Sequence, residues 1–464
     1  MRACAAQQGV SPHTVVAAYD MLQAQGLVES RRQRGFYVRD YVEKAVAAPV
    51  QKAPGAMKSR TLKDTVAITM PAASARINAT SLIRGMMHQA AHPQPGAGMF
   101  PPDWLHNQFM ATALRKVVAS DDLQTLSWHG YGVPLGDVML REVLTDKLKA
   151  LGLSVTSDQV MTTVGATQAL DIVSRALLKA GDAVMVEEPG WSVEFARLAA
   201  LGMQVLPVPR GIDGPDLAVM RRYCETHAPK LYVSVSVLHN PTSHSLHPAV
   251  AHQLLQLAQE FGFYVVEDDT YSHIAPAHAT RLTVLDGLSR SIYVSGFAKI
   301  LAPNWRVGYL AAPPDLVDRL LDAKLLSTLT SPAMLERAMA LCIENGHLHR
   351  HIERVRSHLV QARKRSVQLA QEAGCQFVTA PAGMFGWVDT GMDTEVLAQR
   401  MLDENYLLAP GSLFYASRQP STLMRINYAC TQDAAFWKIY RQVRAEFAQA
   451  EPVADTRLSC TINK

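Results

Sequence analysis

At 464 residues, 48% of them hydrophobic, the chain is too long for one ordinary domain and apolar enough to bury a large core, so two or three domains are expected. Its net charge of +4 is small, yet residues 1–60 carry nine Lys/Arg against four Asp/Glu, which confines the basic excess to the N-terminal part. No apolar run reaches the roughly 20 residues of a membrane span, no charged-then-apolar leader opens the chain, and the six cysteines lack CxxC spacing; a cytoplasmic protein without disulfide framework, metal centre or membrane partner is expected.

In chain order, residues 2–8 read as the end of a helix and Gly9 as a tight turn. Ser11 is a natural N-cap before Pro12 at the first helical position. Val15, Val16, Ala18, Tyr19 and Leu22 then recur at helical spacing up to a C-cap at Gly26. Residues 27–30 and 35–38 read as two short strands around a tip that holds Arg31, Arg32 and Arg34. A turn between helices followed by a basic hairpin is most of a winged helix-turn-helix. It would offer Ser11, His13 and Thr14 to bases and the three arginines to phosphates, although a solvated face explains some of those charges equally well. Residues 40–67, rich in Ala, Pro, Lys and Val without sustained period, read as a linker.

Beyond it, strand patterns at 159–164, 183–187, 204–208, 230–237, 263–267, 291–295 and 306–311 alternate with helical ones such as 167–179 and 248–261, the signature of a mostly parallel α/β sheet. Long helical patterns fill 314–373, and a smaller mixed region closes the chain, with strands near Gly386 and Met424 and a helix over 434–449.

The chemistry concentrates at strand ends. Lys299 follows an apolar strand in a polar turn, with Arg306 seven residues on; an amine that can form an imine beside a guanidinium that can grip a phosphate suits pyridoxal phosphate. Gly165-Ala166-Thr167 opens a helix after a strand, where backbone N–H groups can hold a phosphate, though glycine at such a turn is equally a steric need. Asp268 ends a central strand, placed either to cap a helix or to keep a pyridine nitrogen protonated. Tyr271 and Asn240 are placed to reach the ring's phenolic oxygen, and Trp191 either stacks on the ring or belongs to the core.

In order along the chain, Tyr131-x-x-Pro134-x-Gly136, Gly165 to Leu170, Glu188-Pro189-Gly190-Trp191, Asn240-Pro241-Thr242, Asp268 to Tyr271, Lys299 with Arg306, and Arg425-Ile426-Asn427 resemble the fold-type I pyridoxal-phosphate enzymes, the aspartate aminotransferase superfamily. Together with a GntR-type winged helix at the N-terminus, the chain resembles a MocR-type regulator. The resemblance implies an α/β, fold-type I aminotransferase-like body over 68–464, with a large domain at about 100–325 and a small one at about 326–450, behind a partial winged helix over 1–39. It further implies that Lys299 forms the Schiff base, Asp268 partners the pyridinium, Tyr271 and Asn240 the phenolate, Ala166, Thr167 and Arg306 the phosphate, and Trp191 the ring face. Arg425 would take a carboxylate, and Tyr131 would reach across a homodimer.

Three departures accompany the resemblance. Gly296 and Ala298 stand where two serines are usual before the lysine, Ser243 stands where glycine is usual after Asn-Pro-Thr, and the first helix of a GntR head does not precede Gly9. The expected function is a pyridoxal-phosphate-binding, DNA-binding regulator that senses an amine, amino acid or B6 vitamer. The alternative is an aminotransferase acting on an amino acid and a 2-oxo acid, with a vestigial head.

Overall fold

A computed structural model describes residues 5–7, 9–24, 28–31, 35–38, 78–87, 92–120, 130–276, 278–301 and 303–450. They fall into two units, 1–66 and 67–464. The expected linker at 40–67, the C-cap Gly26 and the tip residues Arg32 and Arg34 lie outside the described residues.

In the first unit the helix Pro12–Ala24 starts where cap chemistry predicts: the Thr14 N–H donates to Ser11 Oγ at 3.1 Å, and Pro12 occupies a position with no N–H to satisfy. Gly9 turns with φ of +64°. Strands β1 (Val28–Arg31) and β2 (Gly35–Val38) pair antiparallel, and Tyr19 of the helix lies 4.6 Å from Phe36 of β2, ring centroid to centroid.

The second unit is built on a seven-stranded sheet. Its strands are β3 (Val160–Val164), β4 (Ala183–Glu188), β5 (Gln204–Pro209), β6 (Leu231–Ser234), β7 (Tyr264–Asp268), β8 (Ser291–Gly296) and β9 (Val307–Ala311), in spatial order β3-β9-β8-β7-β6-β4-β5. Strand β9 alone runs opposite to the other six. Apolar residues run continuously along the central strands because both faces are covered. Val184 and Val186 of β4, with Leu231 and Val233 of β6, pack under the helices Ala166–Leu177, Ser192–Ala200 and Pro314–Thr328. The alternate residues Met185, Tyr232 and Val265 pack under Leu217–His227 and Pro248–Phe261. The strand expected over 230–237 ends at Ser234; beyond it the chain leaves the sheet toward Asn240, where Val235 N–H is taken by the Glu187 carboxylate at 2.9 Å.

A second, antiparallel sheet is formed by β10 (Gln376–Phe377), β11 (Phe385–Asp389), β12 (Ala409–Pro410) and β13 (Leu423–Asn427), in the order β10-β11-β13-β12. The long helical stretch after 314 is three helices, Pro314–Thr328, Ala333–Glu344 and His347–Glu372, and Ala434–Ala450 packs on the second sheet. Among the described residues no helix is long and apolar enough to cross a membrane.

Candidate functional site

The strand order explains where the chemistry gathers. Strands β4, β6, β7 and β8 are parallel, so Trp191, Asn240, Asp268 and Lys299, each at or beyond the C-terminal end of one of them, emerge at the same edge of the sheet. Strand β9 runs the other way, so its beginning, marked by Arg306, arrives at that edge too. Two antiparallel pairings in succession bring the end of β3, with Gly165, Ala166 and Thr167, back to it. One cavity is lined by Ala166, Thr167, Trp191, Asn240, Asp268, Tyr271, Lys299, Arg306 and Arg425, every body residue singled out from the sequence except Tyr131. Tyr131 stands apart with 76% of its surface exposed.

One part of the cavity wall gathers groups that favour negative charge. Ala166 and Thr167 open the helix Ala166–Leu177, whose first N–H groups and dipole favour negative charge. Gly165 sits at φ of +79°, and a Cβ there would lie 2.6 Å from Arg306 Nη2, so only glycine lets the guanidinium cross the turn. Arg306 Nη2 donates to the Val164 carbonyl at 3.2 Å, and its own backbone is left-handed, at φ of +53°. An arginine held there costs on the order of 1 kcal/mol, a strain typical of functional sites.

Lys299 Nζ donates to the Gly98 carbonyl at 2.7 Å. Burial lowers its pKa to about 8, helped by Arg425 and Arg306 and opposed by Asp268. The Asp268 carboxyl is pushed up to about 7, first by burial and then by the neighbouring carboxylates Glu194 and Asp269; the Thr270 N–H, donating at 3.1 Å, holds it down only in part. Asp269 joins the ends of β7 and β8: its N–H donates to the Val294 carbonyl at 2.8 Å, its carbonyl accepts from Ser295 Oγ at 2.9 Å, and Arg281 pairs with its carboxylate at 2.6 Å. Tyr271 is buried, and burial raises its phenol pKa, partly offset by Arg425 and by a hydrogen bond with Asn240.

Arg425, from the centre of the second sheet, donates to Asn240 Oδ1 at 2.9 Å and to the Gly96 carbonyl at 2.6 Å. Its guanidinium lies 4.3 Å from the Phe385 ring centre and 5.2 Å from that of Phe414. Burial lowers its pKa to about 10, and its buried Nε has no hydrogen-bond partner. Asn427, two residues on, donates to the carbonyls of Ala97 and Met99 at 3.0 and 2.7 Å and so fixes the segment that meets Lys299.

Ser243 bears out one sequence departure in physical terms: it occupies the left-handed region glycine favours, at φ of +59°, and its Oγ donates to the Phe385 carbonyl at 2.8 Å. Sequence reasoning missed the buried set behind Asn240. There Glu187 meets Arg210, Tyr232, Ser234 and His239; the only signal was a polar residue inside an apolar strand. It also missed Leu82, Ile83 and Phe414 in the cavity wall, which carry no motif. In the N-terminal unit Ser11, His13 and Thr14 are exposed along the start of the helix, and Arg31 ends β1.

Residues 103–438 match the family model for aminotransferase class I and II, and residues 1–38 match that for bacterial regulatory proteins of the gntR family. The 2-aminoadipate transaminase of Thermus thermophilus is 30% identical over 288 residues, covering 60% of this chain and 72% of that one. The HTH-type transcriptional regulator TauR of Rhodobacter capsulatus is 27% identical over 443 residues, covering 94% of this chain and 88% of that one. Among solved structures, the α-aminoadipate aminotransferase LysN of Thermus thermophilus, in complex with N-(5'-phosphopyridoxyl)-L-leucine, superposes with a TM-score of 0.72 at 24% identity, covering 80% of this chain and 96% of that one.

Proposed function

We propose, on the premise that this chain belongs to the aminotransferase class I and II family and carries a gntR-family segment ahead of it, that it regulates transcription by coupling DNA binding to a small amine, amino acid or B6 vitamer held in its body. The chain is a GntR-type regulator with an aminotransferase-like domain, and its cofactor is pyridoxal 5'-phosphate. The observation that carries the sensing role is the gathering of Lys299, Asp268, Tyr271, Asn240 and Arg306 around one cavity in a chain that also has a DNA-reading segment, for which transamination has no use.

These residues fit the cofactor. An amine, a carboxylate with a raised pKa and a phenol–amide pair surround the space, and the glycine turn under Arg306 is a phosphate cradle that any Cβ would fill. When bound, pyridoxal phosphate supplies an aldehyde for an amine and a ring that withdraws electrons. Lys299 Nζ, at a pKa of about 8, is in part a free amine at neutral pH, the form that attacks a carbonyl. Asp268, pushed up to about 7 by burial and neighbouring carboxylates, has no cation paired with it among the described residues, and a protonated ring nitrogen would supply one and keep the carboxylate ionised. Asn240 and Tyr271 hold each other in place for the phenolic oxygen. Trp191 would cover a ring face, and Ala166, Thr167 and Arg306 would hold the phosphate. Arg425, which lines the cavity and whose buried Nε has no partner, is the guanidinium placed to meet a ligand carboxylate.

Tyr131 completes the site of a second copy in a homodimer. This role is supported by its exposure and by exposed Val133, Leu329 and Met334, since Gly132 lies against Thr330, Ser331 and Ala333. In the cytoplasm, Ser11, His13 and Thr14 read bases, and Arg31, Arg32 and Arg34 hold phosphates.

The test is DNA affinity of the full, cofactor-loaded chain with and without an amine. A change of roughly 5 to 150-fold is expected, and Lys299→Ala should abolish it while leaving nonspecific binding. The second reading, an aminotransferase, is favoured by the gathering of the same residues around one cavity and by the similarity to a transaminase. Turnover with an amino acid and a 2-oxo acid at roughly 1 to 1000 per second, with no DNA affinity, would establish it.

A further inference from the structure

The cavity that holds Arg425 also has an apolar part to its wall: Leu82 and Ile83 from the helix Ala79–Met87, and Phe414 from the turn Gly411–Phe414, whose ring centre lies 5.2 Å from the Arg425 guanidinium. That helix is firmly placed. Asn78 Oδ1 accepts the Ser81 N–H at 2.8 Å while Ser81 Oγ accepts the Asn78 N–H at 2.6 Å, a reciprocal cap, and a Cβ at Gly85 would lie 2.7 Å from Leu407 Cδ2, so the helix seats closely on that side chain. Leu82 is buried and Ile83 half-buried.

The cations of this wall are already committed. Arg306 lies at the phosphate turn, Lys299 at the centre, and Arg425 is the single guanidinium near the apolar closure. Arg84, on the same helix as Ile83, is exposed and does not line the cavity. Among the described lining residues none is placed to neutralise a second carboxylate, and an unpaired carboxylate against Leu82, Ile83 and Phe414 would lose hydration without compensation.

Resting on the reading of Arg425 as the carboxylate partner, we infer that the ligand recognised here is an α-amino acid with a neutral, apolar side chain, and that Ile83, with Leu82 and Phe414, determines this specificity. The α-carboxylate meets Arg425 and the side chain lies against the helix Ala79–Met87. Acidic amino acids are rejected because their second carboxylate would face hydrocarbon, and amines lacking a carboxylate are held less well because Arg425 Nε stays unpaired.

The experiment is a titration of the cofactor-loaded full chain with L-leucine, L-phenylalanine, L-aspartate, L-glutamate and 3-methylbutylamine, followed by the absorbance of the bound cofactor, after the same absorbance has established loading. Leucine or phenylalanine should half-saturate at a concentration at least about 10-fold lower than aspartate or glutamate, within the roughly 10 to 200-fold that apolar pockets deliver. Ile83→Arg should shrink or invert that ratio and Ile83→Ala should keep its order; if Ile83→Arg does not load cofactor, the ratio in the unaltered chain decides. Equal or tighter binding of the acidic amino acids, or an unchanged ratio in a loaded Ile83→Arg, overturns the inference and leaves the cofactor site standing. A chain that takes up no cofactor overturns the underlying reading and this inference with it.

Discussion

The N-terminal unit and the body handle apolar surface in opposite ways. Among the described residues of the first, Ala5, Val15 and Val28 are buried, while Val10, Val16, Leu22 and Tyr37 are 43%, 40%, 36% and 42% exposed. In the body, Trp437, Tyr232, Tyr293, Tyr309 and Phe263 are buried, and so are ionisable groups such as Glu187, Asp269 and Lys324. The described helix and hairpin of the first unit draw little stability from so few buried side chains, whereas a large two-faced sheet can bury charge and still fold. The body can therefore hold a strained, charged site, and the head can respond to small biases.

The largest expected effect that would test this contrast is in the body. Burial pushes the Glu187 carboxyl up, but Arg210 and His239 outweigh it and bring it to about 2. Glu187→Gln leaves Arg210 buried without its counter-charge, and should cost about 3–5 kcal/mol in denaturant unfolding of the body. A loss below about 1 kcal/mol would mean that water or a shift in packing relieves Arg210, and that the body is not rigid around this pair.

A second measurement uses pH. Burial first, and then Arg210, lower the His239 pKa to about 4, against Glu187, so its folded value lies below the ordinary value near 6.5. The unfolded chain then binds more protons between those values, so this residue destabilises the body as pH falls from about 6.5 to 4. Glu187, with a folded pKa below its unfolded one, adds a loss from about 4.5 downward. Asp268, raised to about 7, acts in the opposite sense over the same span, so the His239 contribution is read as a difference: acidification from about 6.5 to 4 should lower the melting temperature of the unaltered body more, or raise it less, than that of His239→Asn, and equal slopes would show that His239 contributes nothing.

A related titration addresses the site. Capture of pyridoxal phosphate by the cofactor-free chain should quicken with pH through a midpoint near 8, where Lys299 is half neutral, and level off about one pH unit above it, rather than climb toward the usual lysine range above 10. Removing the Arg425 charge with Arg425→Met should move that plateau to higher pH, because Arg425 is one of the groups that lower the lysine.

Smaller effects are expected in the head and at the strained loop. Tyr19 and Phe36 are the aromatic pair joining helix to hairpin, and Phe36→Ala should cost on the order of 1 kcal/mol, enough to raise amide exchange throughout the head while leaving the body's melting unchanged. Ser243→Gly relieves a left-handed serine but removes its hydrogen bond to the Phe385 carbonyl, two terms of about 1 kcal/mol each and opposite sign, so stability should stay within about 1 kcal/mol. A markedly larger loss would show that this bridge to the second sheet outweighs the strain.

Some of the molecule is determined by local chemistry, and that part was legible. Ser11 and Pro12 begin a helix because a hydroxyl can accept an orphan N–H and proline has none to offer, and the helix starts there. The strands of the first sheet announced themselves as short apolar runs because both faces are covered, and Lys299, Asp268, Asn240 and Trp191 could be placed at strand ends because parallel strands share one carboxyl edge. What the tertiary structure alone decided depends on residues far apart in sequence. That Arg306 reaches the same edge required β9 to run antiparallel. Glu187, Arg210 and His239 form one buried set only once three separate segments meet, and Leu82 and Ile83 become a cavity wall only because Gly85 lets their helix seat on Leu407, more than three hundred residues away. Periodicity and capping act within a turn or a strand, whereas desolvation and charge pairing depend on which chain segments the fold brings together; the first can be read along a sequence, and the second exists only in the folded chain.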